Sequence, residues 1–233
     1  MMDITLVLVH KKPELGTGKQ RLAAQFGTEL TFRIAQALLA CALEDAIEWP
    51  DSVVLAPAEP YDTDWMQELT NSFSRDFTVV PQIEGNLGQR LNALDQKLRS
   101  QGLKHLVYIG SDAPGLTTED YDTAREALNH YNVALMPAID GGVVLMANRV
   151  AWPDLSALPW STEQLGAALV RKCQMDIHPV HILHKSYDID EPQDFLRLVN
   201  RLTADDRPSR RTLHKLAVEI ASTQKTGHNL SHA

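Results

Sequence analysis

The sequence predicts an α/β domain built on a mostly parallel mixed sheet flanked by helices. Three observations carry this expectation. Short apolar runs alternate with longer helical patterns from Thr5 to Leu202, the rhythm of strand–helix units. Asp140-Gly141-Gly142 joins two strand-like runs, which calls for one antiparallel excursion. The residues with chemical potential follow the predicted strands, where open sheets of this class present ligand sites.

In order, Thr5 to Val9 reads as a first strand, and Arg21 to Ala46 carries helical periodicity. Val53 to Ala56 is a second strand, Asp64 to Phe73 a helix, and Phe77 to Val80 a third strand. Leu87, Leu91, Leu94 and Leu98 recur at helical spacing. His105 to Ile109 is a fourth strand, followed by a helix from Thr117 to Tyr131 that Thr117 and Asp120 open as a capping pair. Val133 to Met136 and Val143 to Met146 are strands, Thr162 to Met175 a helix, Val180 to His184 a strand, and Glu191 to Leu202 a helix. This core domain spans residues 1–202, and 203–233 reads as a C-terminal extension. Within it Asp205 to Arg211 is a charged linker, Leu213 to Ile220 a short helix, and the end from Thr223 a disordered tail. Leu213, Leu216, Ala217 and Ile220 suit docking on the domain or on a second copy in a homodimer.

The chain has 233 residues and a net charge of −8, so a nucleic-acid partner is not expected. A phosphorylated small molecule remains accessible if a metal supplies positive charge. Cys41 and Cys173 form no paired motif and read as core residues in a reducing compartment. No run reaches the ~20 apolar residues of a membrane span, and no signal peptide is legible. The expected location is cytoplasmic.

Five constellations carry possible chemistry. The loop from His10 to Leu22 sets Lys11, Lys19 and Arg21 beside Gly16 and Gly18. It is either a solvated basic loop or a backbone cradle for phosphate. Asp112, in Gly110-Ser111-Asp112-Ala113-Pro114, either caps a turn or holds Mg²⁺ or Mn²⁺ through a carboxylate oxygen. Asp188 and Asp190 can complete that metal site, with Asp190 alternatively capping the helix that begins near Pro192. Asp140-Gly141-Gly142 is a hairpin turn or a close-approach substrate contact. Trp160-Ser161-Thr162 combines a ring that stacks or packs with a Ser161–Gln164 capping box. His178, His181 and His184 look like a metal cluster, but strand alternation divides them between faces.

Taken in order, these segments resemble the bacterial GT-A-like transferases of unassigned substrate, often described as glycosyltransferases associated with radical-SAM and selenium domains, in the nucleotide-diphospho-sugar transferase superfamily. The resemblance covers about residues 3 to 200. Lys11, Pro13, Gly16, Lys19, Arg21 and Leu22 match the opening motif, and Gly85, Leu87, Gly88, Arg90 and Leu91 the second. Gly110 to Pro114, Asp140 to Gly142, Trp160 to Thr162, and Asp188, Asp190, Pro192 and Asp194 match the rest. The resemblance implies a GT-A fold and a divalent metal, Mg or Mn, held by Asp112 with Asp188 or Asp190. It also implies nucleotide and phosphate contacts from Lys11, Gly16, Lys19, Arg21, Asn86, Gly88 and Arg90. Substrate contacts fall to Gly141, Gly142, Trp160, Ser161 and Thr162, and Asp140 faces the acceptor as the candidate base. The chain departs from the family at Leu15, Gln20, Ile139, Val143 and Val144, the last three beside the presumed acceptor side.

The expected function is a metal-dependent, glycosyltransferase-like reaction on a nucleotide-diphosphate-sugar donor. Nucleotidyl transfer from a nucleoside triphosphate to a phosphorylated small molecule is the alternative within the fold. A catalytically degenerate protein that binds a nucleotide or a partner is the alternative outside enzymology.

Overall fold

A computed structural model describes residues 3–176 and 179–230, with side chains described as far as residue 224. In chain order the elements are β1 (Thr5–His10), α1 (Gln20–Phe26), α2 (Thr28–Glu48), β2 (Val53–Pro57), α3 (Thr63–Thr70), β3 (Thr78–Val79), α4 (Leu87–Ser100) and β4 (Leu106–Gly110). They continue with α5 (Thr118–Ala127), β5 (Val133–Pro137), β6 (Val143–Asn148), α6 (Leu165–Asp176), β7 (Val180–Ile182), α7 (Pro192–Arg201) and α8 (Pro208–Leu230). The chain divides into two compact units. Unit 1 comprises Met1–Lys12, Asp45–Ser111 and Leu116–Tyr187; unit 2 comprises Pro13–Glu44, Asp112–Gly115 and Asp188–Ala233.

Unit 1 holds a seven-stranded sheet in the order β3-β2-β1-β4-β6-β5-β7. β1 pairs in parallel with β2 and β4, β2 with β3, and β5 with β7. β6 runs antiparallel to both β4 and β5, the excursion that the Asp-Gly-Gly turn required. β2 and β4 are apolar and buried along nearly their whole length, as strands covered on both sides must be. Leu91, Leu94 and Leu98 of α4 pack into this core with Val7, Val54 and Leu106. One buried carboxylate sits at a polar hub. Asp95 accepts from Tyr108 Oη at 2.9 Å and Asn148 Nδ2 at 2.7 Å, and pairs with Arg99 Nε at 2.9 Å.

The predicted helix over 21–46 is two helices. Gly27, at φ 81°, closes α1 and α2 starts at Thr28, because a residue at positive φ cannot continue a right-handed helix.

Unit 2 gathers α1, most of α2, the Asp112–Gly115 loop, α7 and α8. Phe26 of α1 meets Phe195 of α7 edge-on, with ring centroids 5.8 Å apart. Of the segment expected to be a linker, short helix and disordered tail, residues 208–230 form in the structure one helix of 23 residues, α8, that packs on α7, and residues 231–233 lie outside the described residues. Its buried face reads Arg210, Leu213, Ala217 and Ile220, a spacing of three, four and three. Arg210 is fully buried, and its guanidinium donates to Glu44 Oε2 at 2.9 Å, to the Pro114 carbonyl at 3.3 Å and to the Cys41 carbonyl. Ser209 N donates to the other Glu44 oxygen at 2.7 Å. Pro208 opens the helix, a position where its missing N–H costs nothing.

Candidate active site

Three carboxylates and one ammonium converge in unit 2. Ligand oxygens of Asp112, Asp188 and Asp190 lie within 4.8 Å of one another. Into this group points Lys19, whose Nζ donates to Asp112 Oδ2 at 3.0 Å, to Asp190 Oδ1 at 2.9 Å and to the Ile189 carbonyl at 2.6 Å. The Lys19 side chain is 17% exposed, against 35% for Asp112 and 45% for Asp190. Burial opposes its charge, but the Asp112 and Asp190 carboxylates outweigh burial and hold the ammonium well above the usual lysine range.

Local backbone explains how these side chains meet. Asp112 is the second residue after β4, and its carbonyl accepts from Ile189 N at 2.9 Å. That bond ties the two acidic segments together. Asp190 does not cap α7. Glu191 holds the cap position with Pro192 behind it, and its N–H donates to Asp194 Oδ2 at 2.9 Å. Shifting the cap by one residue leaves the Asp190 carboxylate for Lys19. Asp112 likewise spends its described side-chain bond on Lys19 rather than on a turn.

Lys19 starts α1 from the left-handed region, at φ 44° and ψ 42°. Gly16 and Gly18 precede it at φ 78° and 72°, with open space where a Cβ would project. These glycines serve backbone conformation and not close packing. Arg21 turns to Glu191 at 3.2 Å, both largely exposed. The Gly16 carbonyl accepts from Gln20 Nε2 at 3.1 Å.

The other sequence candidates belong to unit 1, where most have a structural task. Lys11 is exposed. Asn86 caps α4 in a reciprocal box with Gln89, and its amide donates to the Ser156 carbonyl at 3.0 Å. A Cβ on Gly88 would stand 2.1 Å from the Leu155 carbonyl oxygen and 2.6 Å from Trp160 Nε1. Trp160 donates that indole N–H to Leu155 O at 2.9 Å, so the ring packs and is anchored. Arg90 donates to the Ala58 carbonyl at 3.3 Å. Ser161 has φ 63°, and the expected Ser161–Gln164 box is replaced by Thr162 Oγ1 accepting from Gln164 N at 3.3 Å. That change fits a helix that begins at Leu165.

Asp140-Gly141-Gly142 is a side-chain-closed turn, with Gly142 N donating to Asp140 Oδ1 at 2.9 Å. Gly141, at φ 95°, presses on the start of α6: a Cβ there would lie 1.9 Å from the Glu163 carbonyl oxygen. Gly166 N donates to Gly141 O at 2.8 Å. Asp140, Gly141, Ile139, Glu163, Gln164 and Arg171 line an open depression of about 500 Å³.

Of the histidine series, His178 lies outside the described residues. His181 stacks near Tyr131 and His184 pairs with Asp120 at 2.9 Å, so these two do not converge. Sequence reasoning missed Arg210, although Pro208 after a polar run is a helix-start signal. It also missed His10, a buried strand-end residue whose imidazole burial pushes down to about 4, a backbone hydrogen bond at Lys11 opposing.

A family model described as "Uncharacterized protein conserved in bacteria (DUF2064)" matches residues 38–162. Comparison with curated proteins gave no match. Among solved structures, a protein of Desulfovibrio desulfuricans G20, named provisionally as a nucleotide-diphospho-sugar transferase, superposes with a TM-score of 0.83 at 22% identity, over 95% of this chain and 96% of that one. Rv0371c of Mycobacterium tuberculosis H37Rv, in complex with manganese, gives 0.50 at 17% identity, over 85% and 99%. A CMP:2-keto-3-deoxy-manno-octonic acid synthetase complexed with CTP gives 0.52 at 12% identity, over 88% and 100%. The fold is therefore that of the nucleotide-diphospho-sugar transferases and nucleotidyltransferases. No described helix is long and apolar enough to cross a membrane.

Proposed function

We propose, for a chain that belongs to the DUF2064 family of proteins conserved in bacteria, a metal-dependent transfer reaction on a nucleotide-diphosphate-sugar donor. The observation that carries this reading is the Asp112, Asp188 and Asp190 cluster, whose oxygens approach one another within 4.8 Å around a cation, the Lys19 ammonium. An all-oxygen donor set of carboxylates with a nearby carbonyl suits a hard divalent ion, Mg²⁺ or Mn²⁺. When bound, that ion neutralises charge on the departing nucleoside diphosphate.

The chain's own residues do the rest. Asp112 and Asp190 supply anionic oxygens, with Asp188 beside them. Lys19 and Arg21 bring positive charge to the diphosphate, within a loop whose glycines free backbone N–H groups for phosphate. Within unit 1, Lys11 is a further exposed charge, and Asn86, Gly88 and Arg90 are the candidate nucleotide contacts. Asp140 is the acceptor-side carboxylate and candidate base. Gly141 and Gly142 build the turn that holds it, and Trp160, Ser161 and Thr162 are the further substrate-side candidates.

Nucleotidyl transfer is the second reading, favoured by the CTP complex of the synthetase that shares the fold. The two reactions release different products. Incubation with Mn²⁺ and separate panels of nucleotide-sugars and nucleoside triphosphates, read by mass spectrometry, separates them. Nucleoside diphosphate from a nucleotide-sugar supports the proposal, and pyrophosphate from a triphosphate supports the second reading. Metal-dependent binding without turnover on either panel points to a protein that binds nucleotides and has lost catalysis, consistent with Ile139, Val143 and Val144 near Asp140.

A further inference from the structure

Resting on the metal-site reading above, we propose that Lys19 is a built-in counter-ion of the carboxylate cluster, exchanged for the divalent metal when metal and diphosphate arrive together. Metal and nucleotide then bind cooperatively. The argument starts from occupancy. The Lys19 ammonium has three acceptors, Asp112 Oδ2, Asp190 Oδ1 and the Ile189 carbonyl, all at 3.0 Å or less. Two of these belong to the residues that would ligate the metal. Within a cluster whose oxygens lie within 4.8 Å of one another, an ammonium and a divalent ion cannot both keep those contacts, because like charges at such separation repel strongly. Metal entry therefore requires Lys19 to leave.

The loop is constructed to let it leave. Lys19 sits in the left-handed region, a conformation that costs a non-glycine residue energy and persists only where surrounding contacts enforce it. Its described side-chain contacts are with the cluster itself. Gly16 and Gly18, both at positive φ with open space about them, give the preceding chain freedom to rearrange. Once displaced, the ammonium needs an anion. The neighbouring anion, Glu191, is already paired with Arg21, so a diphosphate held on the metal is the partner that Lys19 can meet. Each ligand then lowers the cost of binding the other, and the coupling is reciprocal.

The test is a Mn²⁺ titration of the full chain and of Lys19→Met, with Mn²⁺ alone and with inorganic pyrophosphate as the base-free diphosphate, corrected for complexes in solution. The wild-type protein is expected to bind Mn²⁺ alone weakly and at least about tenfold more tightly with pyrophosphate. Lys19→Met is expected to bind Mn²⁺ alone at least about tenfold more tightly than wild type, with little gain from pyrophosphate. Unchanged or weaker Mn²⁺ affinity in Lys19→Met overturns the exchange while leaving the metal site standing. Absence of Mn²⁺ binding in both proteins removes the metal site and the exchange together.

Discussion

The Lys19 ammonium stands 3.0 Å from Asp112 and 2.9 Å from Asp190, bridging two acidic segments that are separated in sequence by three of the sheet's seven strands. A basic residue assigned from sequence to phosphate is found on carboxylates. With metal present, Lys19→Ala is expected to weaken a nucleoside diphosphate by about tenfold or more and the bare nucleoside much less, as lost charge-assisted contacts are. Competition binding with both ligands checks this, and equal losses refute a phosphate role.

Gly141 is expected to resist substitution for a packing reason. Its φ of 95° and the Glu163 carbonyl 1.9 Å from a would-be Cβ leave no room for alanine. Gly141→Ala should lower stability by about 2 kcal/mol or more, measured by urea unfolding. A change within ~0.5 kcal/mol would show that the turn relaxes freely.

His10 gives the fold a pH dependence. Burial holds its pKa at about 4 in the folded chain, below the usual histidine value of 6.5. Between these values the unfolded chain takes up a proton that the folded chain refuses, so stability falls as pH drops from 6.5 towards 4. The loss from this group is about 2 kcal/mol at pH 5 and negligible above pH 7. Denaturation at pH 7.5 and pH 5 should show a smaller difference for His10→Asn than for wild type. Identical differences would mean that His10 is protonated in the folded state.

Arg210 is expected to be essential to unit 2. Its guanidinium is fully buried against Glu44 and the Cys41 and Pro114 carbonyls. Arg210→Met leaves the Glu44 charge without its main partner and should cost about 3 kcal/mol. Ending the chain at Leu202 also strips Leu213, Leu216 and Ile220, worth ~1.5–3 kcal/mol each before entropy. An unfolding midpoint unchanged by either alteration would show that α8 is only an appendage.

Local signals were legible and long-range ones were not. The Leu87, Leu91, Leu94 and Leu98 stripe foretold α4, and Thr117 with Asp120 foretold the cap of α5, because both are written within a few residues. Grouping Asp112 with Asp188 and Asp190 was within reach because each follows a strand-like run. The direction of Lys19 was not, since it depends on acceptors 93 and 171 positions away. Arg210 was read as part of a linker for the same reason: its acceptors lie on α2 and in the Asp112–Gly115 loop, and charge alone suggested solvent. Asn86, Gly88 and Trp160 carry tasks that their motif does not spell out. The resemblance leads one to expect them near a ligand, and the structure gives each a capping or packing task as well.

The central claim is that Asp112 belongs to a metal site that binds a diphosphate. The most direct measurement is calorimetric titration of nucleoside diphosphates into the wild-type chain and Asp112→Asn, each with Mn²⁺ and with chelator. Asn keeps the shape of Asp112 and removes its charge, so the fold should survive. The account predicts Mn²⁺-dependent binding in wild type, weakened by at least about tenfold in Asp112→Asn. Equal affinity in the two proteins with Mn²⁺ present would contradict it.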